Sequence, residues 1–316
     1  YLSRRNIDTP DQVRALVATL EEKLGSLLLV AVDHEGGLIS RFNRGVTFFP
    51  GNMALGRTGR PALAHDVGQT MARELFGMGI NVNFAPVLDL AAGEYDPELT
   101  IRSFGNEPTL VSNMGAEMIR GLQEWGVSAV VRHFPGRGRG IAKPGEPPLI
   151  PASREEILSR DSVPFQVAVA GGVELVMTAF ARYPAIDPEE PAMFSQKIAT
   201  DLLRREMGFG GVAVTEDLTS PAILASHPIE EGVARALLAG NDLLLLGSDM
   251  DVQKRALEGF RKAQQSERLP QDLLNRCRSR LKTLLTRKQV ISPPISRGTE
   301  EGEGEKEGKD PSGVSD

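Results

Sequence analysis

Short apolar runs that end in polar side chains recur along this chain, separated by stretches with helical spacing. That alternation limits the possible folds more than any other feature. The runs are Leu27–Val32, Ile80–Leu88, Val127–Val131, Val173–Thr178, Gly211–Val214 and Asp242–Leu246. Each is too short for an independent helix and suits a strand buried on both faces. Between them lie helical stretches at Pro61–Met78, Pro108–Trp125, Arg154–Ala170, Ser195–Met207 and Ile229–Ala239. An earlier helix starts at the Asp8-Thr9-Pro10 cap, two more follow at about Asp251–Gln265 and Pro270–Arg287, and Tyr1–Ile7 reads as the tail of another strand. Repeated strand–helix units predict a parallel sheet wrapped by helices.

The polar residues choose between a barrel and an open sheet. Asp33, Asp89, Arg132-His133 and Glu216 stand at the C-terminal ends of four different runs. A TIM-type (β/α)8-like barrel gathers its active site there. A dinucleotide-binding sheet would need Gly-x-Gly-x-x-Gly after its first strand, and none is present. The expected fold is therefore α/β, a TIM-type barrel over residues 1–290 with its first strand cut short. Residues 291–316 form a Gly/Glu-rich acidic tail with nothing to bury, compositionally disordered.

Charge and composition remove several function classes. The formal net charge is −6, and residues 300–316 supply −5 of it through seven acids and two lysines. The remaining body is near −1 and lacks the basic footprint of a nucleic-acid binder. No apolar run approaches the roughly 18–20 residues that span a bilayer. Cys277 is the lone cysteine, there are four histidines, and no His-Glu-x-x-His occurs, so neither a metal nor a cofactor is expected. The chain opens at Tyr1 without Met, as a fragment or processed form would. A monomer in the cytoplasm is the default expectation, and a signal peptide would lie outside this sequence.

Six segments then occur in a telling order. They are Val-Asp-His-Glu-Gly-Gly (32–37), Phe-Ala-Pro-Val-Leu-Asp (84–89), Arg-Ser-Phe-Gly (102–105), Arg-His-Phe-Pro-Gly (132–136), Tyr-Pro-Ala-Ile-Asp-Pro (183–188) and Gly-Val-Ala-Val-Thr-Glu-Asp-Leu (211–218). Together they resemble the N-terminal barrel of glycoside hydrolase family 3, in its single-domain bacterial β-N-acetylglucosaminidase branch. The resemblance implies retaining hydrolysis of β-linked N-acetylglucosamine (GlcNAc), typically in peptidoglycan fragment turnover, with a GlcNAc-containing carbohydrate as partner. It implies sugar contacts at Asp33, Arg41, Arg102, Arg132 and His133. Asp89 reads instead as a residue that turns the strand end.

The chain departs from the family pattern at the chemistry. The family's Asp nucleophile position holds Glu216, with Asp217 beside it and turned to the other face by strand alternation. The family's Lys-His is Arg132-His133, and its Phe-Pro-Gly-His is Phe-Pro-Gly-Arg137. The Asp-x-His acid/base dyad falls on Lys143-Pro144-Gly145, and a further family His falls on Phe180. In the same loop Glu146 is the candidate replacement acid, since two carboxyl groups about 5–5.5 Å apart make a retaining glycosidase. Arg137, Arg139 and Lys143 read as a solvated loop or as contacts to an anionic ligand. Two expectations stay open: a glycosidase with altered catalytic groups, or a sugar-binding or regulatory barrel that has lost the reaction.

Overall fold

The computed structural model describes residues 1–91, 96–143 and 145–291. From 292 onward the expected acidic tail lies outside the described residues. Five parallel strands, Ala31–Val32, Val82–Asn83, Ser128–Phe134, Leu175–Thr178 and Val212–Thr215, neighbour one another in chain order. Leu2 pairs with Val32 at one edge, and Leu243 pairs with Val214 at the other. Among the described residues no pairing joins Leu2 to Leu243. The finding is a curled parallel sheet with helices around it; closure into eight strands is not seen.

Alternation along the strands separates two cores. Val82, Val130, Leu175, Met177, Val212 and Val214 face the inside of the curl. Ala129, Val131, Val176 and Ala213 face outward, under the helices. The period of two follows from pleating. The C-terminal helix Gln271–Ile291 joins Leu281 and Leu284 to the inner core. Its buried Lys288 donates to the Gly126 carbonyl at 3.0 Å and Glu174 at 2.9 Å, residues just ahead of two strands. This helix therefore stops the N-terminal end of the curl and leaves the C-terminal end open for a ligand.

Some elements are shorter than the periodicity predicts. The run Ile80–Leu88 narrows to Val82–Asn83, because Pro86 has no N–H for a ladder and the chain pairs again only where Val87 meets Arg132. The run Asp242–Leu246 keeps a single bridge at Leu243. The expected helix Arg154–Ala170 breaks before Val163–Ala170, where Pro164 cannot continue the preceding bonds. Helices Pro61–Gly77 and Pro108–Glu124 cross in close contact: a Cβ on Gly121 would stand 2.3 Å from the His65 carbonyl oxygen.

Candidate active site

At the C-terminal ends of the strands lies a cavity of about 720 Å³. Asp33, Arg41, Arg102, Arg132, His133 and Glu216, all predicted from the sequence, line it together. Arg137 and Asp217 line it too. Glu146 does not: it is exposed, on the turn between the paired residues Ile141 and Leu149.

One side is a network of arginines on two carboxylates. Asp33 follows Ala31–Val32 and accepts from Arg132 Nη1 at 2.8 Å, from Arg41 Nη2 at 2.6 Å and from the Tyr1 hydroxyl. Burial alone would push its carboxyl up, but Arg132, Tyr1 and Arg41 outweigh burial and hold it at about 2. Beneath it, buried Glu35 accepts two bonds from Arg102, at 2.8 and 3.0 Å, and one from Arg132. Charge-assisted pairs of this kind keep long side chains in one geometry. Arg132, 7% exposed at its side chain, thus bridges two anions, and its Nε has no partner among the described residues.

The other side centres on Glu216. Its residue follows Val212–Thr215, and its side chain is about one-fifth exposed. Oε1 lies 3.2 Å from Arg137 Nη1 and 3.8 Å from His133 Nε2, while Oε2 accepts the Phe180 N–H. Burial pushes this carboxyl up, yet the Arg137 charge and the Phe180 donor leave it below its ordinary value, hence ionised at neutral pH. Asp217 stands just beyond the strand, where alternation no longer fixes its face. It lines the cavity, but its Oδ1 is taken by the Thr219 amide and hydroxyl, at 2.9 and 2.7 Å. Phe180 contributes its backbone here, while its ring packs with Phe194 and Leu218.

Behind His133 sits Asp89, with a fully buried side chain. Its Oδ2 accepts from His133 Nδ1 at 2.7 Å and from the His133 amide at 3.1 Å, and its Oδ1 accepts from the Arg137 amide at 2.6 Å. Burial and the neighbouring Arg137 hold the imidazole well below its ordinary value, and burial raises the Asp89 carboxyl. Both shifts act against an imidazolium–carboxylate pair.

The glycine-rich loop turns in one direction for a steric reason. A Cβ on Gly138 would meet the Leu90 carbonyl oxygen at 1.8 Å, so only glycine lets the loop lie there. The Tyr183 hydroxyl ties Gly136 from the other side at 3.1 Å. Arg137 is thereby aimed into the cavity. Arg139 is turned out to Asp161 and Glu156, and Lys143 is exposed.

An ionised carboxylate on the floor of a polar cavity, ringed by fixed hydrogen-bonding side chains, suits attack on a bound sugar. The match to known proteins agrees with that geometry. Residues 3–284 match the model of the glycosyl hydrolase family 3 N terminal domain. This chain belongs to glycoside hydrolase family 3. The family 3 chain is 36% identical over 257 residues to a β-hexosaminidase of Nitrosomonas eutropha, covering 79% of this chain and 73% of that protein. It is 33% identical over 255 residues to a β-hexosaminidase of Hydrogenovibrio crunogenus, covering 78% and 71%. Among solved structures, a family 3 β-N-acetylglucosaminidase from Paenibacillus sp. str. FPU-7 superposes with a TM-score of 0.90 at 37% identity. That match covers 95% of this chain but 58% of the Paenibacillus chain. The Thermotoga maritima β-N-acetylglucosaminidase gives a TM-score of 0.79 at 30% identity, covering 87% of this chain and 58% of that one.

Four residues gained importance only in three dimensions. Asp89 reads from sequence as a turn residue but carries His133 and the Arg137 backbone. Glu35 stands in the Val-Asp-His-Glu-Gly-Gly segment with no role read for it, but holds Arg102 and Arg132. Tyr1 carries no motif of its own, and Arg137, which replaces the family's His, pairs with Glu216 instead of standing in a solvated loop. The available signal for Asp89 and Glu35 was a carboxylate at or just past the C-terminal end of a buried strand, the position where barrels place working groups.

Proposed function

We propose that this family 3 chain hydrolyses β-linked N-acetylglucosaminides with retention, using Glu216 as nucleophile and giving little acid help to the leaving group. The observation that carries the reading is the ionised Glu216 carboxylate in a cavity shared with Asp33, Arg41, Arg102, Arg132 and His133. Glycosidases of this configuration among its relatives support GlcNAc as the sugar. Peptidoglycan fragments are the natural source of such linkages for a chain that resembles this branch.

Among the described residues, the other carboxyls lining the cavity are Asp33, held ionised, Asp217, engaged at Oδ1 by Thr219, and Glu98, 69% exposed and facing Arg102. None of these is arranged as a proton donor, and Glu146 is outside the cavity. Proton donation is typically worth 10²–10⁴-fold. The leaving group must then carry its own charge on departure, and rate must depend steeply on its basicity.

An aryl β-GlcNAc series of graded leaving-group acidity tests this. A steep fall of kcat/KM with rising phenol pKa, abolished in Glu216→Gln, is expected. A flat dependence would show that an acid is present. A second reading, a carbohydrate-binding barrel without turnover, is favoured by one feature: both Glu216 oxygens are already engaged, by Arg137 and Phe180. GlcNAc binding without hydrolysis of any aryl glycoside would establish it.

A further inference from the structure

Among the described residues, two side chains face Glu216 Oε1, Arg137 at 3.2 Å and His133 at 3.8 Å, and they come from opposite ends of the five-residue segment 133–137. Both are held by one group. Asp89 Oδ1 takes the Arg137 amide, and Asp89 Oδ2 takes the His133 amide and ring. The Asp89 side chain has no exposed surface and does not line the cavity, so it can act on a ligand only through its neighbours.

We propose that Asp89 is a positioning residue of this site: its single carboxylate fixes the two side chains that face Glu216, presenting His133 as a hydrogen-bond acceptor and Arg137 as the cation on the nucleophile. The inference rests on reading Glu216 as the nucleophile. The proton between Asp89 and His133 belongs on Nδ1, because a carboxylate that already accepts two backbone N–H groups has only acceptor capacity left to offer. His133 Nε2 is then a lone pair. It faces the Glu216 carboxylate, itself an acceptor, across 3.8 Å, too far for a hydrogen bond and with no proton to share. The pair leaves an opening for a ligand O–H. A residue that merely turned the strand end would need an acceptor for the backbone amides and nothing more.

Asp89→Asn separates the two roles. Its amide oxygen can still accept the Arg137 N–H, which keeps that side of the turn, while its NH₂ gives up the bond from the His133 amide and, opposite Nδ1, drives the ring proton to Nε2. With four histidines in the chain, nitrogen–proton correlation spectra can follow His133, assigned by its loss in His133→Gln. The wild type should show the Nδ1–H tautomer and Asp89→Asn the Nε2–H tautomer. Turnover of an activated aryl β-GlcNAc should fall on the order of 10²-fold or more, as misplacement of catalytic groups by about 1 Å does. Asp89→Asn added to His133→Gln should cost much less than it does alone.

An Nε2–H tautomer in the wild type overturns the proposal even where the variant fails to fold. So does a folded Asp89→Asn with wild-type tautomer and wild-type kinetics. Absence of turnover in the wild type would instead sink the glycosidase reading. GlcNAc affinity then serves as the measure: weakened in Asp89→Asn if Asp89 positions the site, and unchanged if the proposal is wrong.

Discussion

Arg137 Nη1 lies 3.2 Å from Glu216 Oε1, so the candidate nucleophile is paired with a cation that arrives on a loop of glycines and prolines. The family pattern has a histidine where this chain has Arg137, and an aspartate where it has Glu216. The longer carboxylate and the longer cation meet. The two departures that weaken the family's chemistry in sequence are one contact in space.

That contact sets the acid limb of activity. A Glu216 acting as the proposed nucleophile attacks only when ionised, so kcat/KM should fall as pH drops through its pKa, which lies below the ordinary carboxylate value. Removing the positive charge in Arg137→Met lets burial dominate and moves this limb to higher pH. A pH profile on an activated aryl β-GlcNAc checks it. A limb that does not move would mean that Arg137 leaves the ionisation of Glu216 alone.

Arg132 bridges two buried anions, so its loss is expected to be costly beyond any effect on sugar binding. Arg132→Met leaves Asp33 and Glu35 facing each other without that cation. Breaking a buried pair by removing one partner typically costs 3–5 kcal/mol. Denaturant unfolding should show a loss of about that size, and a loss under 1 kcal/mol would contradict the geometry.

Asp33 should make stability sensitive to acid. Its folded value is depressed to about 2 from 3.8, so its contribution is fully present above about pH 4 and is lost as pH falls through about 2. At about 1.4 kcal/mol per unit, the window is worth roughly 2 kcal/mol. Asp33→Asn should flatten the stability-versus-pH curve between those limits, and an unchanged slope there would refute the assignment.

Glu146 is exposed and away from the cavity. Glu146→Ala should retain aryl glycoside turnover within about twofold, with no gain from added azide. A large loss restored by azide would restore Glu146 as the acid.

Much of the site was legible because strand ends are. Asp33, Arg132, His133 and Glu216 each follow a short apolar run, and a curled parallel sheet delivers such positions to one rim. Arg41 and Arg102 came from likeness to family motifs, and both line the cavity. Asp89 was underestimated because its partners are 44 and 48 residues away, across the sheet, and hydropathy does not record which buried carboxylate meets which donor. For Arg137 the sequence left two readings open, a solvated loop or a contact to an anion. Whether its side chain faces solvent or the cavity depends on how closely Gly138 packs on the Leu90 carbonyl. Strand lengths were overestimated where proline removed a ladder donor, at Pro86 above all.

The central claim is that Glu216 bonds to the sugar. Incubation with a fluorinated GlcNAc-type inactivator bearing an activated leaving group, followed by digestion and mass spectrometry, tests it most directly. The account predicts a glycosyl adduct on Glu216, absent in Glu216→Gln and discharged slowly by water. An adduct on Asp217, or none while substrate is still hydrolysed, would contradict it.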